Sequence, residues 1–350
     1  GREAEVLKAL LEMKSCNTRN ALYWSAIPVH IHWKTGKLHS EIIQSNTNTR
    51  RWTSSKINLQ QLESDPEGVR SVILDRDRLV TSLDQSSQEV RLMAELSQDE
   101  GLLSCYVGNN LRDTHSLVAH RIAGVTYEEF MAMRRSEDKT ISSSASAIRG
   151  IAKSVFFGYL YGSAAPKTAE TLGITEEQAQ TYIDAINSAF PGIKRYQEES
   201  SNMAETLGYV PLLGGTKRHL AKLVTSEDKW EASKALRQAG NSRIQGAAAN
   251  QIKTVMTKVW DSHLLDDTSF KWLFCVHDEI VVSTDAHDTV DVIHEVHKIM
   301  TEPFLKSLPS ESSLGVGKTF GALLEQPENE FSGGRFNREM LQKAVDSLAT

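Results

Sequence analysis

The sequence predicts an α+β fold in which one sheet domain is interrupted by a helical one. Strand-like runs lie at two distant places, VRSVIL and LVTSLD before residue 85 and WLFCV and IVVST after residue 270. Between them, from residue 88 to about 260, the apolar spacing is mostly helical, punctuated by Pro166, Pro191 and the Pro211 to Gly215 cluster. Strands segregated from helices in this way define the class. With 350 residues, 40% hydrophobic and 7% aromatic, the chain can fill the cores of two or three domains, which excludes disordered and fibrous architectures.

Taken in order, Val6, Leu7, Leu10 and Leu11 fall at helical spacing over residues 4 to 14, and the extended run that follows, turning at Lys34-Thr35-Gly36-Lys37, predicts a hairpin. The polar stretch SNTNTRRWTSSKINLQQLESDPEG has almost no apolar period and is too long for an ordinary connection, so it is a candidate functional loop. VRSVIL and LVTSLD read as strands. WLFCV and IVVST flank His277-Asp278-Glu279, which predicts a hairpin with charge at its tip. The last stretch returns to helix and ends in the polar segment FSGGRFNREMLQKAVDSLAT, which carries no obvious chemistry. The chain has no internal repeat.

Charge and cysteine content narrow the function. Lys+Arg 39 against Asp+Glu 45 gives 39 − 45 = −6, so a polyanion partner must be held by a local basic surface rather than by overall charge. Cys16, Cys105 and Cys275 are too few and too scattered for a disulfide scaffold or a Cys-rich zinc site, which points to a reducing compartment. No stretch approaches the ~18 uninterrupted apolar residues of a membrane span, and GREAEVLKALLEMKSC is an amphipathic helix pattern rather than a signal peptide, so a soluble protein is expected. LGVGKT is not a P-loop, because the motif ending at Gly317-Lys318-Thr319 requires glycine where Ser312 stands.

Three groups of residues carry candidate chemistry. Asp84 ends one predicted strand and Asp278 sits where two others meet, so both can project from one sheet edge, where a carboxylate pair suits divalent cations in phosphoryl transfer. Each alone is also an ordinary strand-end or turn acid. In SSSASAIRGIAKSVFFGYLYGSAAP, Arg149, Lys153, Phe157 and Tyr161 recur every fourth residue and form a stripe along a helix, two cations followed by two aromatics, as a nucleoside triphosphate would require. The serines before Ile148 offer N-caps and Gly162 a terminator. Arg237, Asn241 and Gln245 again recur every fourth residue, and such a stripe can test base-pair geometry through minor-groove acceptors common to every pair. Read alone, both helices also fit ordinary amphipathic packing.

Together these segments resemble the family A DNA polymerases, the class that includes bacterial DNA polymerase I and many bacteriophage replicases. DQSSQEVRLMAELS is similar to the family's motif A, RGIAKSVFFGYLYG to motif B and VHDE to motif C. TNTRRWTSSKINLQQ resembles its T-G-R-L-S-S…N-L-Q segment, DTHSLVA its D-x-H-S-x-T-A, and the Arg237/Asn241/Gln245 helix its minor-groove helix. The six matches run in family order over roughly residues 40 to 320, and SSQEVRLMA is closer to phage replicases than to bacterial repair enzymes.

The resemblance implies a right-hand polymerase: the base of a thumb over residues 1–45, a palm over 46–97 and 228–350 whose antiparallel sheet carries the catalytic carboxylates, and helical fingers over 98–227. Most of the thumb would precede residue 1, with no exonuclease domain in the chain. It implies template-directed addition of dNTPs to a primer 3′-OH, with two Mg²⁺ ions, replaceable by Mn²⁺, held by Asp84 and Asp278. Glu279 would stand beside them, and Lys153 would donate a proton to the leaving pyrophosphate. Arg149, Lys153, His115, Phe157, Tyr161 and Glu89 would contact the dNTP, Phe157 as in members that reject dideoxynucleotides. Glu89, held by Tyr161, would be the gate against ribonucleotides. Arg51, Asn58, Gln60, Arg237, Asn241, Gln245 and His277 would contact primer-template DNA. The expected location is the cytoplasm, that of the host if the source is a phage, with no membrane partner; a processivity factor or upstream domain is left open. Gln85 and Ser87 in motif A, Phe156 in motif B and Arg243 depart from the family pattern without removing a metal ligand, which implies altered rate or fidelity. The alternative is a DNA-binding protein that keeps the polymerase shape without catalysis.

Overall fold

A computed structural model describes residues 2–62, 68–107, 111–305, 308–325 and 336–349. The end of the polar loop (63–67) and the start of the C-terminal polar segment (331–335) lie outside the described residues. An antiparallel sheet of five strands forms the centre: β1 (Leu79–Gln85), β2 (Lys271–Val276), β3 (Glu279–Thr284), β4 (Ser312–Gly317) and β5 (Leu323–Glu325), in the order β2-β3-β1-β4-β5. Side chains alternate across it with period two. Leu79 and Leu83 of β1 join Ile280, Val282, Leu314 and Val316 in one core, while Val80 and Val281 face the other way against Tyr23, Ile57 and Phe320. The same alternation puts Asp84 on the Val80 face, and the register sets it directly opposite Glu279.

The longer helices are α1 (Arg2–Arg19), α2 (Gln88–Ser97), α3 (Thr114–Ala123), α4 (Lys139–Leu160), α5 (Glu176–Ala189), α6 (Pro191–Leu207), α7 (Lys229–Asp261), α8 (Thr289–Thr301) and α9 (Arg338–Ala349). α2 to α6 close around Phe130, Phe156, Ile186, Phe190 and Ile193, all fully buried. α7, about 50 Å long at 1.5 Å per residue, enters both cores: Ile244, Ala247 and Ala248 pack in the helical one, Ile252, Val255 and Val259 under the sheet. It is the beam that fixes one body against the other. Among the described residues no helix is long and apolar enough to cross a membrane.

Four expectations change. VRSVIL is not a strand: Val69–Val72 forms a 3-10 turn, because only Val69 is buried while Val72 and Leu74 stay exposed, so the run has no apolar face to give a sheet. The N-terminal hairpin shrinks to a single bridge between Ile31 and Leu38, and the nearby ladder pairs Glu41–Ile43 with Thr53–Ser55. The chain after residue 284 is not simply helical, since β4 and β5 complete the sheet. LGVGKT thus lies on β4 and the turn after it, in the wrong setting for a phosphate loop. α4 begins at Lys139, earlier than the serines suggest, because Asp138 caps it by accepting the Thr140 N–H at 2.8 Å.

Candidate active site

β2 and β3 are joined by the two-residue turn His277-Asp278, with Val276 paired to Glu279 and His277 in the left-handed region at φ 54°. Gln60 fixes that turn: its Oε1 accepts the His277 N–H at 2.9 Å and its Nε2 donates to the Cys275 carbonyl at 2.5 Å. The turn brings Asp278 to the sheet edge near Asp84, the next-to-last residue of β1, and Glu279 lies across from Asp84. Burial pushes the Asp278 carboxyl up to about 6; the charges of Glu89 and Glu279 act in the same direction and Arg51 opposes them. Burial also raises Glu279, against a hydrogen bond from the Ser82 hydroxyl. Carboxylates gathered at a half-buried edge form a donor set of oxygens that fits a hard divalent cation. Among the described residues no three His, Cys, Asp or Glu side chains group as a complete cage. Magnesium commonly takes one or two carboxylates and completes its shell with water and phosphate oxygens.

α4 presents the predicted stripe. Arg149 donates from Nε and Nη2 to the two carboxylate oxygens of Asp113, at 2.8 and 2.7 Å. Burial would raise the Asp113 carboxyl, but the hydrogen bonds from Arg149 and Ser116 prevail and hold it down at about 2. Asp113 is also the N-cap of α3, accepting the Ser116 N–H at 2.8 Å. In the first turn of α3, His115 lies edge-on to Phe156 and tilted against Phe157, with centroids 5.8 and 5.7 Å apart. Burial lowers the His115 ring to about 4, helped by the Arg149 and Lys153 charges, so it is neutral at pH 7, and its buried Nδ1 lacks a hydrogen-bond partner. Lys153 is exposed one turn beyond Arg149. Phe157 and Tyr161 follow, 6.4 Å apart. Gly162 at φ 84° ends the stripe, and a Cβ there would approach the Arg237 Cβ to 3.0 Å, so α4 and α7 meet where only glycine fits.

The two groups are joined through Glu89 on the first turn of α2. Its carboxylate accepts hydrogen bonds from the Tyr161 hydroxyl and from Arg51 Nη2. Arg51, expected on DNA, is thus tied to Glu89, beside a cleft that it shares with Trp52, Gln60, Lys253 and His277. Asn58 caps the turn Leu59–Gln61 by accepting the Gln60 N–H at 3.1 Å. Asn58 and Gln60 therefore shape the loop and the hairpin from within. Arg237, Asn241 and Gln245 share one side of α7, and Arg237 Nη1 donates to Ser233 Oγ at 2.6 Å.

The departures from the family pattern each find a local role. Gln85 is buried, donating to the Met300 carbonyl at 2.9 Å and accepting from Gln251. Ser87 takes the left-handed conformation, φ 53°, where β1 turns into α2. Phe156 fills the helical core against Phe190. Arg243 donates to Ser200 Oγ at 2.8 Å and lies over the Tyr196 ring, tying α7 to α6. Sequence reasoning passed over Asp113 and Gln251. The first stood in the DTHSLVA segment, and the second showed only as a polar residue on a buried helix face.

An antiparallel sheet with carboxylates at one edge, facing a helical body lined by cations and aromatics, is the right-hand fold of nucleic-acid polymerases. The chain belongs to DNA polymerase family A, whose family model matches residues 1–322. It is 30% identical over 322 residues to the thermostable DNA polymerase I of Thermus aquaticus, covering 91% of this chain and 36% of that protein. Against the DNA polymerase I of Borreliella burgdorferi the identity is 29% over 324 residues, covering 91% and 34%. Among solved structures, the POL domain of Pol1 from M. smegmatis, in complex with DNA primer-template and dNTP, superposes with a TM-score of 0.78 at 25% identity, covering 90% of this chain and 53% of that one. The chain spans about a third of the length of these curated relatives.

Proposed function

We propose that this chain performs template-directed DNA synthesis, joining a primer 3′-OH to the α-phosphorus of a dNTP with release of pyrophosphate. The observation that carries the reading is the Tyr161–Glu89–Arg51 cluster, which ties the end of the cationic and aromatic α4 stripe to the carboxylate edge of the sheet. In this reading the palm is formed by residues 46–97 and 228–350, the fingers by 98–227 and the base of the thumb by 1–45.

Arg149, oriented by Asp113, and neutral His115 bind the triphosphate. Phe157 and Tyr161 pack on the sugar and base, and Glu89 occupies the space a ribose 2′-OH would need. As the 3′ oxygen bonds to the α-phosphorus and the bridge to the β-phosphate breaks, Lys153 gives a proton to the pyrophosphate oxygen that leaves. Asp84 and Asp278 would hold the divalent cations, Mg²⁺ or Mn²⁺, with Glu279 adding negative charge beside them. Bound there, the cations would polarise the attacking oxygen and neutralise charge on the leaving group. Arg237, Asn241 and Gln245 follow the minor groove of the primer-template, and His277 lies near the primer end. The test is extension of a labelled primer-template with Mg²⁺ and four dNTPs, repeated with rNTPs and with chelator. Chelator-sensitive extension by dNTPs alone is expected; primer-template binding without extension would favour the non-catalytic reading.

A further inference from the structure

We infer that Arg50, on a turn held by Lys253, forms a contact for one phosphate of the primer-template backbone, beside Arg51. The inference rests on the reading of the chain as a DNA polymerase. Arg50 sits at φ 64°, a conformation that residues with a Cβ rarely adopt, and it stands where the T-G-R-L-S-S pattern has glycine. Its backbone is fixed from two sides. The Arg50 N–H donates to the Thr47 carbonyl at 3.2 Å, and its own carbonyl accepts from Lys253 Nζ at 2.7 Å. Thr47 Oγ1 donates to the next carbonyl, that of Arg51, at 2.6 Å.

The outcome is an exposed Arg50 side chain on a turn whose carbonyl the half-buried Lys253 ammonium holds. Lys253 has its Nζ 5.5 Å from the centre of the Trp52 ring, and its pKa is lowered by burial and by the Arg50 charge. Among the described residues the charge that acts on Lys253 is that of Arg50, and no acid acts beside it. An exposed cation fixed on this turn, next to the cleft that Arg51, Lys253 and His277 line, is the complement of an anion. Along a nucleic-acid strand that anion is a phosphate, which such a cation positions without reading sequence.

The test measures primer-template affinity of the whole chain against salt concentration for wild type, Arg50→Gly and Arg50→Lys, with thermal stability recorded for each. Each phosphate neutralised contributes about 0.9 to the slope of log K against log salt. Arg50→Gly should lower the slope by about that amount, so that its affinity deficit shrinks about three- to fourfold between 50 and 200 mM salt. Because glycine suits φ 64°, its stability should not fall. Arg50→Lys should restore the slope. An Arg50→Gly slope equal to that of wild type overturns the phosphate contact alone. A wild-type chain that binds no primer-template overturns both the contact and the polymerase reading beneath it.

Discussion

Tyr161, at the end of α4, donates its hydroxyl to the Glu89 carboxylate on the first turn of α2. The bond ties the end of α4 to the start of α2, and Arg51 braces the same carboxylate from the loop side. Glu89→Ala should admit ribonucleotides. Tyr161→Phe removes one hydrogen bond to a charged group, worth about 1.5 kcal/mol or a factor of about ten, and should relax discrimination by about that factor. Ratios of kcat/KM for dNTP and rNTP check both, and unchanged discrimination in Glu89→Ala would place the gate elsewhere.

Asp278→Asn should abolish extension, by at least about 10²-fold, while sparing DNA binding. The same change should stabilise the metal-free protein. Burial raises the folded carboxyl from 3.8 to about 6, so the folded state holds its proton more tightly and loses stability as pH rises through that window. Above pH 6 asparagine avoids the penalty and should gain about 1–3 kcal/mol; below pH 4 the two proteins should converge. Urea unfolding in chelator at several pH values measures it.

Asp113 behaves in the opposite sense. Its folded carboxyl lies at about 2, below the ordinary 3.8, so its contribution is complete above pH 4 and fades as pH falls toward 2. Asp113→Asn keeps the α3 cap but loses the ionic pair with Arg149. At pH 7 it should cost about 2 kcal/mol, a gap that closes in acid. Freed from its partner, Arg149 should hold the triphosphate less well, raising KM for dNTP several-fold with a smaller change in kcat. An unchanged KM would show that Asp113 serves stability only.

What the sequence disclosed follows from the range of each signal. Arg149, Lys153, Phe157 and Tyr161 were legible because a helix repeats locally, and the charged hairpin because β-formers bracket it in a dozen residues. The pairing of Arg149 with Asp113 spans 36 residues and two helices, a separation at which periodicity says nothing. SSLGVG hid β4, since glycine is uncommon in strands. A Cβ at Gly317 would lie 2.1 Å from the Ala322 carbonyl and one at Gly315 3.0 Å from the Leu323 side chain, so the turn into β5 requires those glycines. VRSVIL misled for the converse reason: it is rich in β-formers yet leaves Val72 and Leu74 in solvent.

Gln85 is the clearest case of a residue whose role only the fold reveals. It follows Asp84 on β1, pairs across from Ser312, and is buried. Its Oε1 accepts from Gln251 Nε2 at 3.3 Å, Gln251 also donates to Ser310 Oγ at 3.0 Å, and Gln85 Nε2 donates to the Met300 carbonyl at 2.9 Å. Gln251 belongs to α7, the helix that carries Arg237, Asn241 and Gln245, so the network links that helix to the strand that carries Asp84. Gln251→Leu fills similar space but strands buried polar atoms, and should cost about 1–3 kcal/mol. Gln85→Leu should cost a comparable amount, and the double variant less than the sum by about 1 kcal/mol, because the two share one bond. If the network also holds Asp84 in register, Gln251→Leu should lower the single-turnover extension rate while leaving primer-template affinity near that of wild type. Loss of stability with an unchanged extension rate would confine the network to holding the sheet against α7.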